Sequence, residues 1–262
     1  RPGMLLGLGT GSTARHFIAG FAGRDVTCIA SSVASAEQAR ELGLRVVDEL
    51  DRPCDLAVDG ADEIDPDLGL IKGRGGALFR EKLLAINSER FVVVADESKL
   101  VPRLGVGVLP VEILPFLWRQ TARHFADRGI AWQLRGGEEA PLVTDNGNLV
   151  LDLTLQGGIE NPLQLAAEIK LIPGVCEHGL FIGIASAAII AGEDGVRTLG
   201  KPESFHPPAA PRGTLYGFRT LRAYKRLRAA GAARARRAPG PGASAAEQAG
   251  PRGPRDFFVA AQ

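Results

Sequence analysis

The sequence predicts an α/β protein, and three observations carry that prediction. Over the first 105 residues, short apolar runs alternate with amphipathic segments, which is typical of parallel strands joined by helices. The 262 residues, of which 45% are hydrophobic, suffice for a sizeable core. After residue 105 the pattern changes to one that indicates an α+β arrangement. We therefore expect a parallel-sheet domain and a smaller α+β domain.

The first domain is predicted to alternate buried strands with helices over residues 1–105. Its strands are expected at MLLGLG, VTCIAS, LRVV, DLAVDG and FVVVAD, and its helices at TARHFIAGFAG, SAEQARELG and FREKLLAINSE. Strands that alternate with helices in this way predict a Rossmann-like sheet with helices on its faces.

The second domain is expected over residues 106–178. PVEILPFLWRQTARHFADRG predicts a strand and then a helix, and PLVTDNGNLVLDLTL predicts two strands around a hairpin turn at residues 145–148. NPLQLAAEIKLIPG predicts a helix with proline near its start and glycine after its end. The strand-like runs GLFIGIAS, AAIIAG and GVRTLG follow, and residues 179–202 are expected to return to the first sheet.

Residues 203–262 are a different kind of sequence. They carry 11 Lys/Arg and 3 Asp/Glu, a net charge of +8, whereas residues 1–202 have a net charge of −7. Ala, Pro and Gly supply 29 of these 60 residues and no apolar periodicity runs through the Arg-rich part, so we expect a disordered tail. The Arg-rich part has no interleaved aromatic residues, so a nucleic-acid partner is not expected.

Composition also bears on location and redox state. No run approaches the roughly 18 apolar residues of a membrane span, and the first residues do not have the order of a signal peptide. We therefore expect a cytoplasmic protein without membrane association. Cys28, Cys54 and Cys176 are odd in number and far apart, which predicts reduced thiols rather than disulfides or a metal site.

The first candidate site is GLGTGSTARHF, where a strand runs into glycines, hydroxyls and a helix. Thr10, Gly11, Ser12 and Thr13 would present backbone N–H groups at a helix N-terminus, an arrangement that suits a phosphate. A dinucleotide is less favoured, because Ser12 replaces the third glycine of the fingerprint and no acidic residue ends the second strand. A plain tight turn is the structural alternative.

The second candidate site is AVDGADEID, where Asp59, Gly60, Ala61 and Asp62 follow a predicted strand. The carboxyl ends of strands are where open α/β sheets bind their ligands. The two carboxylates suit the hydroxyls of a polyol. A metal site built from oxygen ligands, or acidic residues that merely cap a strand, are the alternatives.

The third candidate site is IKGRGGALFREKLLA. Lys72 precedes a glycine loop that leaves the backbone open to a ligand, and Glu81 lies in the early turns of the next predicted helix. A lysine can hold developing negative charge, and a glutamate in the same cleft can move a proton. The alternative is that Lys72 is a solvated loop charge and that Arg80, Glu81 and Lys82 are ordinary helix-surface residues. Lys99, after another strand, is a further candidate cation.

Taken in order, these segments resemble the ribose-5-phosphate isomerase family of type A. The matching stretches are GLGTGSTA, SSVAS, VDGADEID, IKGRGGALFREKLLA, DESKLV, VTDNGNLVLD and IPGVCEHGLF, within residues 4–200. The tail after about residue 201 has no counterpart in the family. Members of the family usually carry an N-terminal helix before the first strand, and this sequence has no matching segment before Met4. We therefore expect reduced stability and weaker substrate affinity.

The resemblance implies an aldose–ketose isomerase of the non-oxidative pentose phosphate pathway that uses no metal or organic cofactor. It implies that Glu81 is the catalytic base and that Lys72 lies on the oxygens that gain charge. It implies that Asp59 and Asp62 bind sugar hydroxyls and assist ring opening. It also implies a homodimer or a pair of dimers. The substrate-binding residues expected from the motifs are Thr10, Gly11, Ser12, Thr13, Asp59, Gly60, Ala61, Asp62, Lys72, Gly73, Arg74, Gly75 and Lys99.

Three further interpretations stay open from the sequence. A sugar-phosphate-binding regulatory domain would keep the site without turnover, but it would not require a base such as Glu81. A CoA-transferase-like enzyme would need an acyl-accepting carboxylate and a CoA groove, which residues 55–83 match less well. A basic-tailed interaction protein would act through residues 203–262. The role of Arg74, which stands where the family commonly has glycine, is not assigned.

Overall fold

The structure is a computed structural model that describes residues 2–200, and these residues contain fourteen strands. In chain order the strands are β1 (Met4–Leu8), β2 (Val26–Ala30), β3 (Arg45–Val46), β4 (Leu56–Asp59), β5 (Glu63–Ile64), β6 (Leu70–Ile71), β7 (Phe91–Asp96), β8 (Val108–Ile113), β9 (Ala131–Leu134), β10 (Leu149–Thr154), β11 (Val175–His178), β12 (Leu180–Phe181), β13 (Ala187–Gly192) and β14 (Gly195–Gly200).

Five α-helices lie between these strands in the described part of the chain. They are α1 (Ser12–Ala19), α2 (Val33–Glu41), α3 (Leu78–Ile86), α4 (Trp118–Ala126) and α5 (Pro162–Lys170), and a short 3₁₀ helix spans Glu97–Lys99. The start of α5 follows from its sequence: the Asn161 side chain accepts a hydrogen bond from Gln164 N at 3.1 Å, and proline follows it directly.

The largest sheet has seven strands in the order β14, β13, β7, β4, β1, β2 and β3. Its neighbouring strands are parallel except for the pair of β13 and β14, which is antiparallel. The α/β fold predicted from the alternating pattern is confirmed. Because β4 and β1 are central, the residues that follow them lie at the middle of one sheet edge, where ligands of such sheets bind.

A second, antiparallel sheet has the order β11, β8, β10 and β9. The turn predicted at residues 145–148 is present, since Gly147 N donates to Thr144 O at 2.8 Å. The predicted pair of strands around it is wrong: only β10 is a strand, and its partners are β8 and β9. The apolar run before the turn is too short and too close to proline to extend, so strand AWQL, which sequence reasoning missed, pairs with β10 instead.

A third sheet of three short strands has the order β12, β6 and β5. GLFIGIAS was expected to return to the first sheet, but Leu180 and Phe181 pair with β6 instead. The short strands matter for the site, because β6 ends directly before Lys72 and the Lys72 amide donates to Gly179 O at 2.9 Å. Two-residue strands carry too little periodicity to be predicted from sequence.

Helix α3 is buried on more than one face, because it contacts the large sheet through β4 and the second sheet through β8 and β11. Its buried residues are Leu78, Glu81, Lys82, Leu84 and Ala85. Glu81 and Lys82 are therefore not surface residues of the helix, which was the alternative open from the sequence.

Two expectations from the sequence, the domain boundaries and the disordered tail, are not tested by the structure. Residues 2–200 all lie within one compact unit, and the proposed boundaries at residues 105 and 178 stay predictions. The expected disordered tail at 203–262 lies outside the described residues. Between residues 2 and 200, no helix is both long enough and apolar enough to cross a membrane.

The core of the second sheet provides a test of the fold. Leu151 of β10 is fully buried in a cluster with Phe125 and Ile169. We expect Leu151→Ala to lower the free energy of unfolding by about 2–5 kcal/mol, because it removes buried methyl groups and leaves a cavity. The control Leu171→Ala, at a side chain that is 83% exposed, should change it by less than about 0.5 kcal/mol. Equal denaturation midpoints for the two variants would contradict this packing.

Candidate active site

The site begins where β1 and β4 end side by side. Asp59 is the last residue of β4, and its Oδ1 accepts hydrogen bonds from Gly60 N at 2.7 Å and Thr10 N at 3.1 Å. A side chain at Gly9 would overlap the Asp59 carboxyl group, so glycine is required there. These contacts fix the Asp59 carboxylate in one orientation at the sheet edge.

Lys72 brings the predicted acidic and basic groups together. Its Nζ lies 2.8 Å from Asp59 Oδ2 and 3.2 Å from Glu81 Oε2, and it donates to Gly60 O at 2.7 Å. All three charged side chains are at least 95% buried. Burial alone would lower the pKa of Lys72, but the charges of Asp59 and Glu81 outweigh it and raise that pKa, so the lysine stays charged.

Glu81 is held as a weak acid within this cluster. Burial raises the pKa of its carboxyl group to about 8; the negative charge of Asp59 adds to the rise, and Lys72 opposes it. Among the described residues, no donor is aligned to hydrogen-bond Glu81 Oε2, although Lys72 lies beside it. A buried carboxylate beside an ammonium group, with a pKa near neutrality, can take up and release a proton.

The glycine loop after Lys72 is shaped by close contacts. Gly73 has φ +114°, and a Cβ there would lie 2.8 Å from Leu78 Cβ, so no other residue fits without strain. The Arg74 amide donates to Asp62 Oδ2 at 3.0 Å, which joins the loop to the second predicted carboxylate. The Arg74 side chain is about half exposed, with Nε 3.8 Å from Asp62 Oδ1.

The N-terminus of α1 forms the third part of the site. Gly11 is its N-cap with φ +107°, no side chain caps the helix, and Ser12 and Thr13 begin it. Thr13 lies close to Gly60, which places this helix end beside Asp59. Uncapped N–H groups at a helix N-terminus favour a negatively charged group, so the geometry suits a phosphate.

The other predicted site residues are less closely involved. Ala61 is half-buried between Gly60 and Asp62. Gly75 lies beside the Thr10 methyl group. Lys99 ends the 3₁₀ helix after β7, and its charge acts on Asp96, the N-cap of the same helix. It follows a strand adjacent to β4 and so belongs to the same sheet edge.

A second buried charged cluster, which sequence reasoning missed, lies next to the first. Lys82 donates to Glu177 Oε1 at 2.8 Å and to the His178 carbonyl, and burial lowers its pKa to about 8 although Glu177 opposes the change. Lys72 and Lys82 lie 5.5 and 4.9 Å from the centre of the Phe181 ring. The burial of Lys82 could not be predicted from the sequence, because the charged run REK is typical of a helix surface.

The structure also bears on a second groove and on metal binding. A groove of about 460 Å³ between α2 and α3 is lined mostly by apolar residues and contains none of Asp59, Lys72 and Glu81. Within residues 2–200, no group of three or more His, Cys, Asp or Glu side chains is placed to hold a metal ion.

The fold and the site define a class of protein. The site has a buried acid–base cluster at the carboxyl edge of a parallel sheet, next to an uncapped helix N-terminus. This combination is typical of an enzyme that moves a proton on a phosphorylated substrate.

Comparison with known proteins identifies the family. The family profile described as ribose 5-phosphate isomerase A (phosphoriboisomerase A) matches residues 27–195. A relative from Bradyrhizobium diazoefficiens, ribose-5-phosphate isomerase A, is 46% identical over 217 residues, which cover 76% of this chain and 89% of the relative. The chain therefore belongs to the ribose 5-phosphate isomerase A family, and the resemblance found in the motifs is confirmed.

Solved structures agree with this assignment. The ribose 5-phosphate isomerase from Plasmodium falciparum matches with a TM-score of 0.73 at 36% identity, over 77% of this chain and 92% of that one. A D-ribose-5-phosphate isomerase in complex with phospho-erythronic acid matches with a TM-score of 0.73 at 35% identity, with the same coverages of 77% and 92%. The isomerase class and the fold are thus shared with solved enzymes.

The buried glutamate has a measurable effect on stability. Because the pKa of Glu81 is raised on folding, the folded state binds a proton that the unfolded state has lost between pH 4.5 and about 8, so stability falls as pH rises through this window. Glu81→Gln removes that loss. We expect its melting temperature to match the parent near pH 4.5 and to exceed it at pH 9.

Thermal unfolding at the two pH values measures this effect. The control is Glu138→Gln, which changes an exposed glutamate paired with Arg119 and should give no pH-dependent gain. An equal shift of Glu81→Gln at both pH values would show that Glu81 titrates in its ordinary range.

Proposed function

We propose that this chain interconverts D-ribose 5-phosphate and D-ribulose 5-phosphate, with Glu81 as the base and without a metal or organic cofactor. One observation carries the proposal: Glu81 Oε2 is buried and lies 3.2 Å from the Lys72 ammonium group. A proton-transfer base and a cation for the resulting oxyanion are therefore adjacent. These are the two groups that aldose–ketose isomerisation requires.

In the proposed reaction Glu81 takes the proton from C2 of the open-chain aldose. The electron pair of that bond forms the C1–C2 double bond, and the carbonyl electrons move to O1, which gives an enediolate. Glu81 then returns the proton to C1, the O2 hydroxyl proton passes to O1, and O2 becomes the ketone oxygen. A carboxyl group with a pKa of about 8 is a far stronger base than an ordinary glutamate.

Lys72 is proposed to stabilise the charge that develops on the substrate oxygens. Its ammonium group is already oriented by Asp59 and Gly60 O, so little reorganisation is needed when the enediolate forms. Asp59 and Asp62 are proposed to bind sugar hydroxyls and to assist ring opening, and Gly60, Ala61 and the loop of Gly73, Arg74 and Gly75 to line the sugar.

The phosphate is proposed to bind at the N-terminus of α1. Thr10, Gly11, Ser12 and Thr13 would supply N–H and hydroxyl donors, and Lys99 would add a positive charge from the neighbouring strand end. In this arrangement the phosphate anchors one end of the substrate and positions C1 and C2 near Glu81.

A sugar-phosphate sensor is the less favoured function. Binding alone does not explain why the chain retains a buried glutamate whose ionisation costs stability. The same argument disfavours a basic-tailed interaction protein, because its function would not need this cluster.

Two further expectations from the resemblance are also proposals. We propose a cytoplasmic location, and assembly as a homodimer or a pair of dimers. Leu114, Phe116 and Leu117, which are 48–80% exposed between β8 and α4, provide an apolar surface for self-association.

The role of Glu81 can be tested by turnover. We expect the parent chain to convert ribose 5-phosphate in the presence of chelator. Glu81→Gln, which keeps the shape and loses the basicity, should lower kcat by about 10² to 10⁴. Glu138→Gln is the control and should keep the parental rate. Full activity of Glu81→Gln in chelator would remove this residue from the mechanism.

Self-association can be tested separately by measuring mass in solution. A charge on the apolar surface should oppose its burial, so we expect Phe116→Glu to reduce the mass to that of a monomer. Val196→Glu, at an exposed apolar side chain on β14, is the matched control. If the parent chain is itself a monomer, the proposed assembly is wrong.

A further inference from the structure

A contact between the second sheet and the glycine loop carries an inference that rests on the proposed function. Arg135 follows β9, and its backbone is fixed on both sides, since its amide donates to Val150 O at 2.9 Å and its carbonyl accepts from Leu142 N at 2.8 Å. Its side chain extends from the second sheet to the loop that follows Lys72.

All three nitrogen atoms of the Arg135 guanidinium group donate hydrogen bonds. Nε and Nη2 donate to the two carboxylate oxygens of Asp152 on β10, and Nη1 donates to Gly73 O at 2.7 Å and to Arg74 O at 3.0 Å. The side chains of Arg135 and Asp152 are 14% and 18% exposed, so solvent screens this pair little. Only arginine has a planar fork that can bind a carboxylate and two carbonyls together.

The contact with Arg74 O determines the direction of a peptide group. In a trans peptide the C=O and the next N–H point in opposite directions, and residues 2–200 contain no cis peptide. The Gly75 N–H therefore points away from Arg135. It forms no hydrogen bond within the described residues, and Gly75 lies beside Thr10, whose own amide binds Asp59.

We propose that Arg135 is a positioning residue for the isomerisation: it orients the Arg74–Gly75 peptide so that the Gly75 N–H donates to the substrate oxygen that becomes negatively charged. Lys72 then acts on the enediolate as an ammonium group and Gly75 as an N–H donor. Arg135 does not touch the substrate. It couples the second sheet to the active site, because Asp152 holds its guanidinium group in place.

The test compares two substitutions of Arg135 with a matched control. Arg135→Met removes the contacts with the loop, Arg135→Lys keeps the charge but not the fork, and Arg119→Met removes an exposed arginine from an ion pair of the same part of the chain. For each protein we would measure the melting temperature, kcat and KM for ribose 5-phosphate, and the inhibition constant of phospho-erythronic acid, whose carboxylate resembles the enediolate.

We expect the substitution to weaken stabilisation of the charged intermediate and to leave binding of the substrate nearly unchanged. Removing one oriented donor costs about 10² in rate, so kcat of Arg135→Met should fall by about 10²-fold and the inhibition constant should rise by a similar factor. KM should stay within about threefold, because the donor acts mainly after the charge has formed. Arg135→Lys should restore little of kcat, and Arg119→Met should resemble the parent.

Three outcomes would overturn the proposal. They are a parental kcat in a folded Arg135 variant, a rise in KM with kcat unchanged, and full recovery by lysine. If Arg135→Met does not fold, Arg135→Lys decides by the same measurements. Failure of the proposed function is distinguishable, because the parent chain itself would then show no turnover in this assay.

Discussion

The structure of the site depends on one lysine ammonium group shared by two buried carboxylates. Lys72 can neutralise only one negative charge fully, and Asp59, held by two backbone N–H groups, is the better-supported partner. Ionising Glu81 therefore adds an uncompensated negative charge to a buried cluster, which raises its pKa. The charges of Lys72 and Asp59 already cancel each other. Glu81 is a strong base because its ionisation would give this buried cluster a net negative charge.

The fold makes this cluster from segments that are distant in the chain. The parallel sheet supplies Asp59 at the end of β4, and the small third sheet supplies Lys72 after β6. Helix α3, which packs against both the large and the second sheet, supplies Glu81. The second sheet packs on α3 and reaches the glycine loop through Arg135, so it supports the site without contributing any of the three charged groups. The three charged side chains are at least 95% buried in this arrangement, and burial strengthens each electrostatic interaction between them.

Sequence reasoning could identify the strands and the acidic and glycine-rich motifs, because apolar runs and turn residues are local signals. It could not identify β9 or the strands of the third sheet, whose pairing is decided by tertiary contacts over two to four residues. The direction of the Glu81 pKa shift was equally out of reach, since nearby Asp59 and Lys72 act in opposite senses and only burial decides between them. Lys82 and Arg135 were missed because charged residues are normally exposed.

The ionisation of Glu81 is the most direct test of this account. The carboxyl groups of ¹³C-labelled glutamate would be titrated by NMR in the parent chain and in Asp59→Asn, with Glu81→Gln identifying the resonance. The account predicts a resonance, absent from Glu81→Gln, that titrates near pH 8 in the parent and at lower pH in Asp59→Asn, where one negative charge is gone. Titration of that resonance near the ordinary value of 4.5 in the parent would contradict it.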